Sequence, residues 1–152
     1  MKSIILILIL NLSYYNNDIN SVRNLFLEAY ISESSCEQLG KKIDELKYDQ
    51  SILLKGYEAC YYFIKCKFTN NSMDKFFYFR KGKKILEYSI KKNPNSVELR
   101  FLRYTIQKNL PRFLFYYNHM DKDLIFVINN INSITDKKTQ KYIEKSLESI
   151  NK

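Results

Sequence analysis

Side chains able to carry charge into a protein interior concentrate in two short stretches of this chain. In the first, Arg100, Arg103 and Gln107 recur at i, i+3 and i+7, just after Glu98. On a helix they form one polar stripe. Two guanidiniums on one stripe need carboxylates or backbone carbonyls as partners, because unpaired buried charge is strongly disfavoured. Glu58, Glu98, Asp121 and Asp123 are the candidate carboxylates. Two uses of the stripe stay open: it ties neighbouring helices by forked hydrogen bonds, or it lines a groove for an acidic peptide or a small anion. Glu58, Glu98, Arg100, Arg103 and Gln107 are therefore the candidate binding or structural polar network.

The second stretch, His119-Met120-Asp121-Lys122-Asp123, holds the only histidine. Its three ligand-type residues diverge around a helix, and the two carboxylates suit a helix N-terminus. The spacing matches no recognised zinc pattern, so no metal is expected. Histidine-assisted nucleophilic catalysis would depend on His119, and neither a Gly-rich phosphate loop nor a zinc-type cysteine pair occurs. Cys60 and Cys66 are six residues apart on a predicted helix, a rise of about 9 Å against the roughly 7 Å that a disulfide spans. A disulfide from Cys36 to either one stays open, and all three thiols sit at apolar positions, as small hydrophobes do. The chain is read as non-enzymatic, with no catalytic residue and no cofactor.

The elements that must position these groups are helices. Three Gly and two Pro in 152 residues leave long stretches without a breaker, whereas a β-sandwich needs frequent turns. With 45% hydrophobic and 27% charged residues the composition is that of one folded globular domain. Thirteen Tyr and ten Phe, without Trp, are expected to fill the helix crossings. The net charge of +9 permits contact with nucleic acid or a phospholipid surface. The lysines fall on the outward faces of nearly every predicted helix, which argues for solvated surface and makes nucleic acid the less favoured partner.

Met1-Lys2-Ser3 followed by the apolar run Ile4 to Leu10 has the shape of a secretory leader. The run is far shorter than the roughly 20 residues of a membrane span. No Ala-x-Ala cleavage site follows it, and a buried N-terminal strand or helix is the alternative. The expectation is a signal peptide over 1–16 and a single domain over 17–152, exported to the bacterial periplasm or beyond.

Val22, Leu25, Phe26, Ala29 and Tyr30 follow the spacing of a half-buried helix. Ser34-x-x-Glu37 has the form of a capping box opening a helix with Cys36, Leu39, Ile43 and Leu46 inside. After a polar break over 48–50, residues 51–68 form a broad apolar helix containing Gly56, where a neighbouring backbone can approach. Asn71 or Ser72 caps a helix over 73–92, with Phe76, Phe79, Gly82, Leu86 and Ser89 on its inner face, and Pro94 ends it. Asn95-x-x-Glu98 caps the next helix, in which Leu99, Leu102, Ile106 and Leu110 share a face. Phe113, Leu114 and Tyr117 are expected to form a short turn over the core. Leu124, Val127, Ile128 and Ile131 mark a further helix, and Tyr142, Ile143, Leu147 and Ile150 the last.

Gly56, Gly82, Leu86, Ser89 and Pro94 resemble one unit of a tetratricopeptide repeat, with a small residue in each helix and a closing proline. The spacing from Gly56 to Gly82 exceeds the family's by more than a helical turn, so the resemblance concerns fold. Asn93-Pro94-Asn95, Glu98 to Arg103, Asn109-Leu110-Pro111 and Phe113-Leu114 resemble small exported helical proteins of bacteria. That resemblance implies a signal-bearing helical domain and carries no activity with it. The resulting expectation is an all-α domain of about seven helices in stacked antiparallel hairpins, tetratricopeptide-like, whose concave surface serves protein–protein interaction. The alternative is a basic helical domain that binds RNA or anionic phospholipid.

Overall fold

The computed structural model describes residues 18–46 and 51–150. The leader expected over 1–16 and the polar break over 48–50 lie outside them. Among the described residues there is no strand, and the chain is one all-α domain. Helix α1 covers 18–29, α2 Glu33–Glu45, α3 Ile52–Phe68, α4 Ser72–Lys92 and α5 Val97–Asn109. A 3₁₀ turn at Arg112–Leu114 leads to α6, Met120–Asn130, and a second at Ile131–Ser133 leads to α7, Lys137–Ile150.

The helix starts show which of several adjacent polar residues actually caps. Ser32, not Ser34, caps α2, its hydroxyl accepting from the Ser35 amide at 3.1 Å. Asn71 caps α4 by accepting from the amides of Met73 and Asp74. Ser96, not Asn95, caps α5, accepting from the Leu99 amide at 3.2 Å. Glu98 is thereby released from the capping role expected of it. Asp136 caps α7, accepting from the Thr139 amide and hydroxyl.

Helix α5 runs through the middle of the domain. Every residue from Val97 to Gln107 except Arg100 is buried, and the helix packs against α3, α4, α6 and α7. Helix α3 packs against α2, α4 and α5, and two glycines set its distance from its neighbours. A Cβ on Gly56 would lie 2.3 Å from Leu99 Cδ2, and one on Gly82 would lie 3.0 Å from both the Ala59 carbonyl and the Phe63 ring. Without those side chains, α5 and α4 approach α3 more closely than alanine would permit.

Two expected core assignments are corrected. Gly82, Leu86 and Ser89 of α4 are buried together with Ile90, but Phe76 at the same helix's start is 60% exposed. In the turn after α5 the residue that enters the core is Tyr116, at 6% exposure, while Phe113 is 73% exposed. Phe115 adopts the left-handed conformation, φ 49° and ψ 42°, and this reversal aims Tyr116 inward to stack on Phe63.

Candidate functional site

Two clusters of buried charge lie on different sides of α5. In the first, Glu98 accepts from Arg23 of α1 through both carboxylate oxygens, from Nε at 2.7 Å and from Nη2 at 2.8 Å. The Tyr57 hydroxyl of α3 donates to the same carboxylate at 2.6 Å, and Arg23 Nη1 donates to Asn20 Oδ1 at 2.7 Å. A bidentate pair, the strongest form of charge-assisted hydrogen bond, thus joins α1 to α5, and the Tyr57 hydrogen bond adds α3. Burial works against the Arg23 charge, but the hydrogen bonds and charge of Glu98 outweigh it and hold the guanidinium pKa above its ordinary value. Burial, reinforced by the Glu98 charge, raises the Tyr57 pKa well above that of a free phenol. Tyr57 therefore stays a donor.

The second cluster is centred on Asp123 of α6, which has no solvent exposure. It accepts from Arg103 Nε at 2.6 Å, from Arg103 Nη2 at 2.9 Å and from Arg100 Nη1 at 3.0 Å. Arg103 Nη1 also donates to Glu87 of α4 at 2.8 Å, and the Tyr116 hydroxyl donates to Glu87 at 2.6 Å. Arg100 Nε reaches the Pro94 carbonyl at 2.9 Å, and its guanidinium lies 4.6 Å from the Phe126 ring centroid. Burial and the hydrogen bond to Glu87 raise the Tyr116 pKa. Each cluster balances positive with negative charge.

Of the five residues expected to share a polar network, Glu98 belongs to the first cluster and Arg100 and Arg103 to the second. Gln107 is buried at 3% exposure, and neither atom of its amide finds a partner among the described residues. Glu58 stands apart on α3, half-buried. Burial raises its carboxyl pKa, an effect only partly offset by Lys81 and Lys55. The folded carboxyl thus holds its proton more tightly than the unfolded one, and stability is lost as pH rises through the carboxylate range. Glu58→Gln is expected to raise the melting temperature at pH 7, with the advantage vanishing below about pH 4. Thermal denaturation of both proteins across that range measures it.

His119 is exposed and makes no capping hydrogen bond at the start of α6, and Asp121 is exposed. Among the described residues no group of His, Cys, Asp or Glu is placed to hold a metal. The three cysteines are free thiols. Burial raises the pKa of each and pushes Cys36 and Cys66 up to about 11, far from the thiolate that reactivity requires.

Sequence reasoning missed Arg23, Tyr57, Glu87 and Tyr116 as cluster members. Arg23 had a visible signal, a charge directly beside the inward-facing Val22. It missed, too, a cavity of about 640 Å³ bounded by the C-terminal half of α3, the start of α4, the end of α5 and the turn at 111–114. Phe63, Phe79, Ile106 and Leu110 line it, Lys67 and Lys75 are its cationic residues, and no carboxylate takes part. None of the five residues expected to form the network lines it.

Beside this cavity, α4 turns Met73, Phe76 and Phe77 to solvent at 79%, 60% and 57% exposure. Arg80, Lys81, Lys83 and Lys84 share a shallow groove with them. Positive charge is not spread evenly over the helices, as expected, but gathers on this hairpin: residues 52–92 hold ten of the 25 Lys and Arg and only three of the 16 Asp and Glu. One of those three, Glu87, is committed to Arg103 and Tyr116.

No protein-family model, no curated protein and no solved structure matches the chain. The class that its own architecture defines is an all-α single domain whose apolar core holds two charge-balanced clusters and whose helix α4 presents basic and apolar side chains outward. Among the described residues no helix is long and apolar enough to cross a membrane.

Proposed function

We propose that the chain is a non-catalytic docking domain and that the outer face of α4 binds a protein partner through an apolar segment flanked by acidic residues. One observation carries this reading. Met73, Phe76 and Phe77 stand exposed in one patch among basic side chains, and clustered exposed apolar groups mark interaction surfaces. Phenylalanines of this kind serve as anchors that bury into a partner, while the basic rim steers association and selects an acidic partner. The buried arginines and carboxylates of the two clusters are engaged with one another.

The RNA reading is weaker because the rings are partly covered by the domain's own cations. Arg80 lies 5.5 Å from the Phe76 centroid, and Lys81 lies 4.2 Å from that of Tyr62 and 5.9 Å from that of Phe77. A base would have to displace them to stack.

The double variant Phe76→Ser, Phe77→Ser tests the proposal, since both side chains are exposed and the fold should survive. A quantitative pull-down from the source cells should retain, on the wild type alone, a protein that stays bound at high salt, with the two melting temperatures agreeing. Equal retention on both proteins, or recovery only of RNA with affinity falling steeply with salt, would sink the reading.

A further inference from the structure

We infer that the cavity between α3, α4, α5 and the 111–114 turn binds a single-chain amphiphile with an anionic head, of the fatty-acid type. This goes beyond the docking face, which the cavity adjoins along α4, where Phe76 and Phe79 border both. At about 640 Å³ the cavity falls within the range of small-molecule pockets, roughly 300–1,000 Å³. Its walls are aromatic and aliphatic: Phe63 and Phe79 from one pair of helices, Ile106 and Leu110 from the third, and Leu114 from the turn.

Its cations come from a single place, the junction of α3 and α4. Lys67 lies near the end of α3 and Lys75 in the first turn of α4, and both are exposed. Lys67 Nζ donates to the Tyr30 carbonyl at 2.6 Å, which ties this ammonium to the cavity wall. Lys75 makes no ion pair or side-chain hydrogen bond among the described residues. With no carboxylate in the lining to neutralise it, this end of the cavity is complementary to an anion.

The hydrocarbon part of the ligand follows from what the walls lack. They are built mainly of helices whose amides and carbonyls bond within each helix. An extended peptide laid in the cavity would leave its own backbone groups unpaired at a cost. An alkyl chain brings no such groups and gains from every methylene buried. The head group interacts with Lys67 and Lys75 while the chain passes over Phe79 towards Ile106 and Leu110.

The test is calorimetric titration of the full chain with sodium dodecanoate below its micellar concentration. Saturation at one ligand per protein is expected, with affinity falling about fourfold for each methylene removed, as the transfer energy of a methylene requires. Lys75→Glu, at an exposed side chain, should weaken binding about tenfold, as should replacing the carboxylate by the trimethylammonium head of the same chain length. Leu110→Trp, which fills the cavity, should abolish it. Lys75→Glu keeps the test valid should Leu110→Trp fold poorly. Absence of saturable binding, uptake of several molecules per protein, or equal affinity for the cationic and anionic heads would overturn the inference. So would retention on anionic phospholipid vesicles without any dodecanoate binding.

Discussion

Glu98→Ala is expected to destabilise the domain by about 3–5 kcal/mol, the cost of stranding a buried charge whose partner is removed. Arg23 is 7% exposed and directs its Nε and Nη2 donors at the Glu98 carboxylate. Alanine would take away the carboxylate that accepts from Nε and Nη2 and leave the Nη1 hydrogen bond to the Asn20 oxygen. Tyr57, fully buried, would lose its acceptor as well. Urea denaturation monitored by far-ultraviolet circular dichroism measures the loss as a shift in midpoint. The triple variant Arg23→Met, Tyr57→Phe, Glu98→Leu provides the control. Apolar side chains of similar volume strand no charge and often match or exceed a buried ion pair in stability. Recovery towards wild-type stability is therefore expected. A Glu98→Ala midpoint within error of the wild type would show that the cluster does not hold the helices together.

Asp123→Ala should cost at least as much, because the fully buried carboxylate serves two arginines. Its removal leaves Arg100 and Arg103 facing one another with Glu87 as the remaining carboxylate of the cluster. About 3–5 kcal/mol is again the scale, a large part of the roughly 5–15 kcal/mol by which domains are stable. Asp123→Asn, which keeps an acceptor oxygen but loses the charge, should fall between that value and the wild type. The two clusters share no residue. The milder pair Glu98→Gln and Asp123→Asn should therefore combine additively to within about 0.5 kcal/mol. Denaturant midpoints of the two single variants and the double variant decide it.

The helices were legible because breakers are scarce and the apolar spacing is strong, as in the 51–68 stretch whose helix runs Ile52–Phe68. Their starts were less so, since Ser32 and Ser34, or Asn95 and Ser96, are equally good cap residues by type. Backbone geometry chose between them. The face of α4 was misread for an arithmetical reason. Phe76 and Ser89 are thirteen positions apart, and at about 100° per residue the two point about 140° apart, so steps of three and four cannot keep them on one face. Glu98 invited a capping reading because a carboxylate in the first turn suits that role. Its actual partner Arg23 is 75 positions away, a separation at which periodicity carries no information. Tyr116 was hidden by Phe115, whose left-handed backbone is rare for a bulky side chain. The cavity could not be read at all, since its walls come from three helices and a turn.

The burial of α5 on nearly all sides has a consequence for how the domain selects its packing. A helix buried on nearly all sides has no single apolar face to fix its rotation, so burial alone specifies its rotational setting poorly. Glu98 and Arg103 are five residues apart, hence about 140° apart around the axis. One faces Arg23 and Tyr57, the other Asp123 and Glu87. Turning the helix by one residue would carry both away from their partners together. The paired clusters therefore act as a key with two teeth, admitting one orientation of α5 among several that oil-like packing would accept.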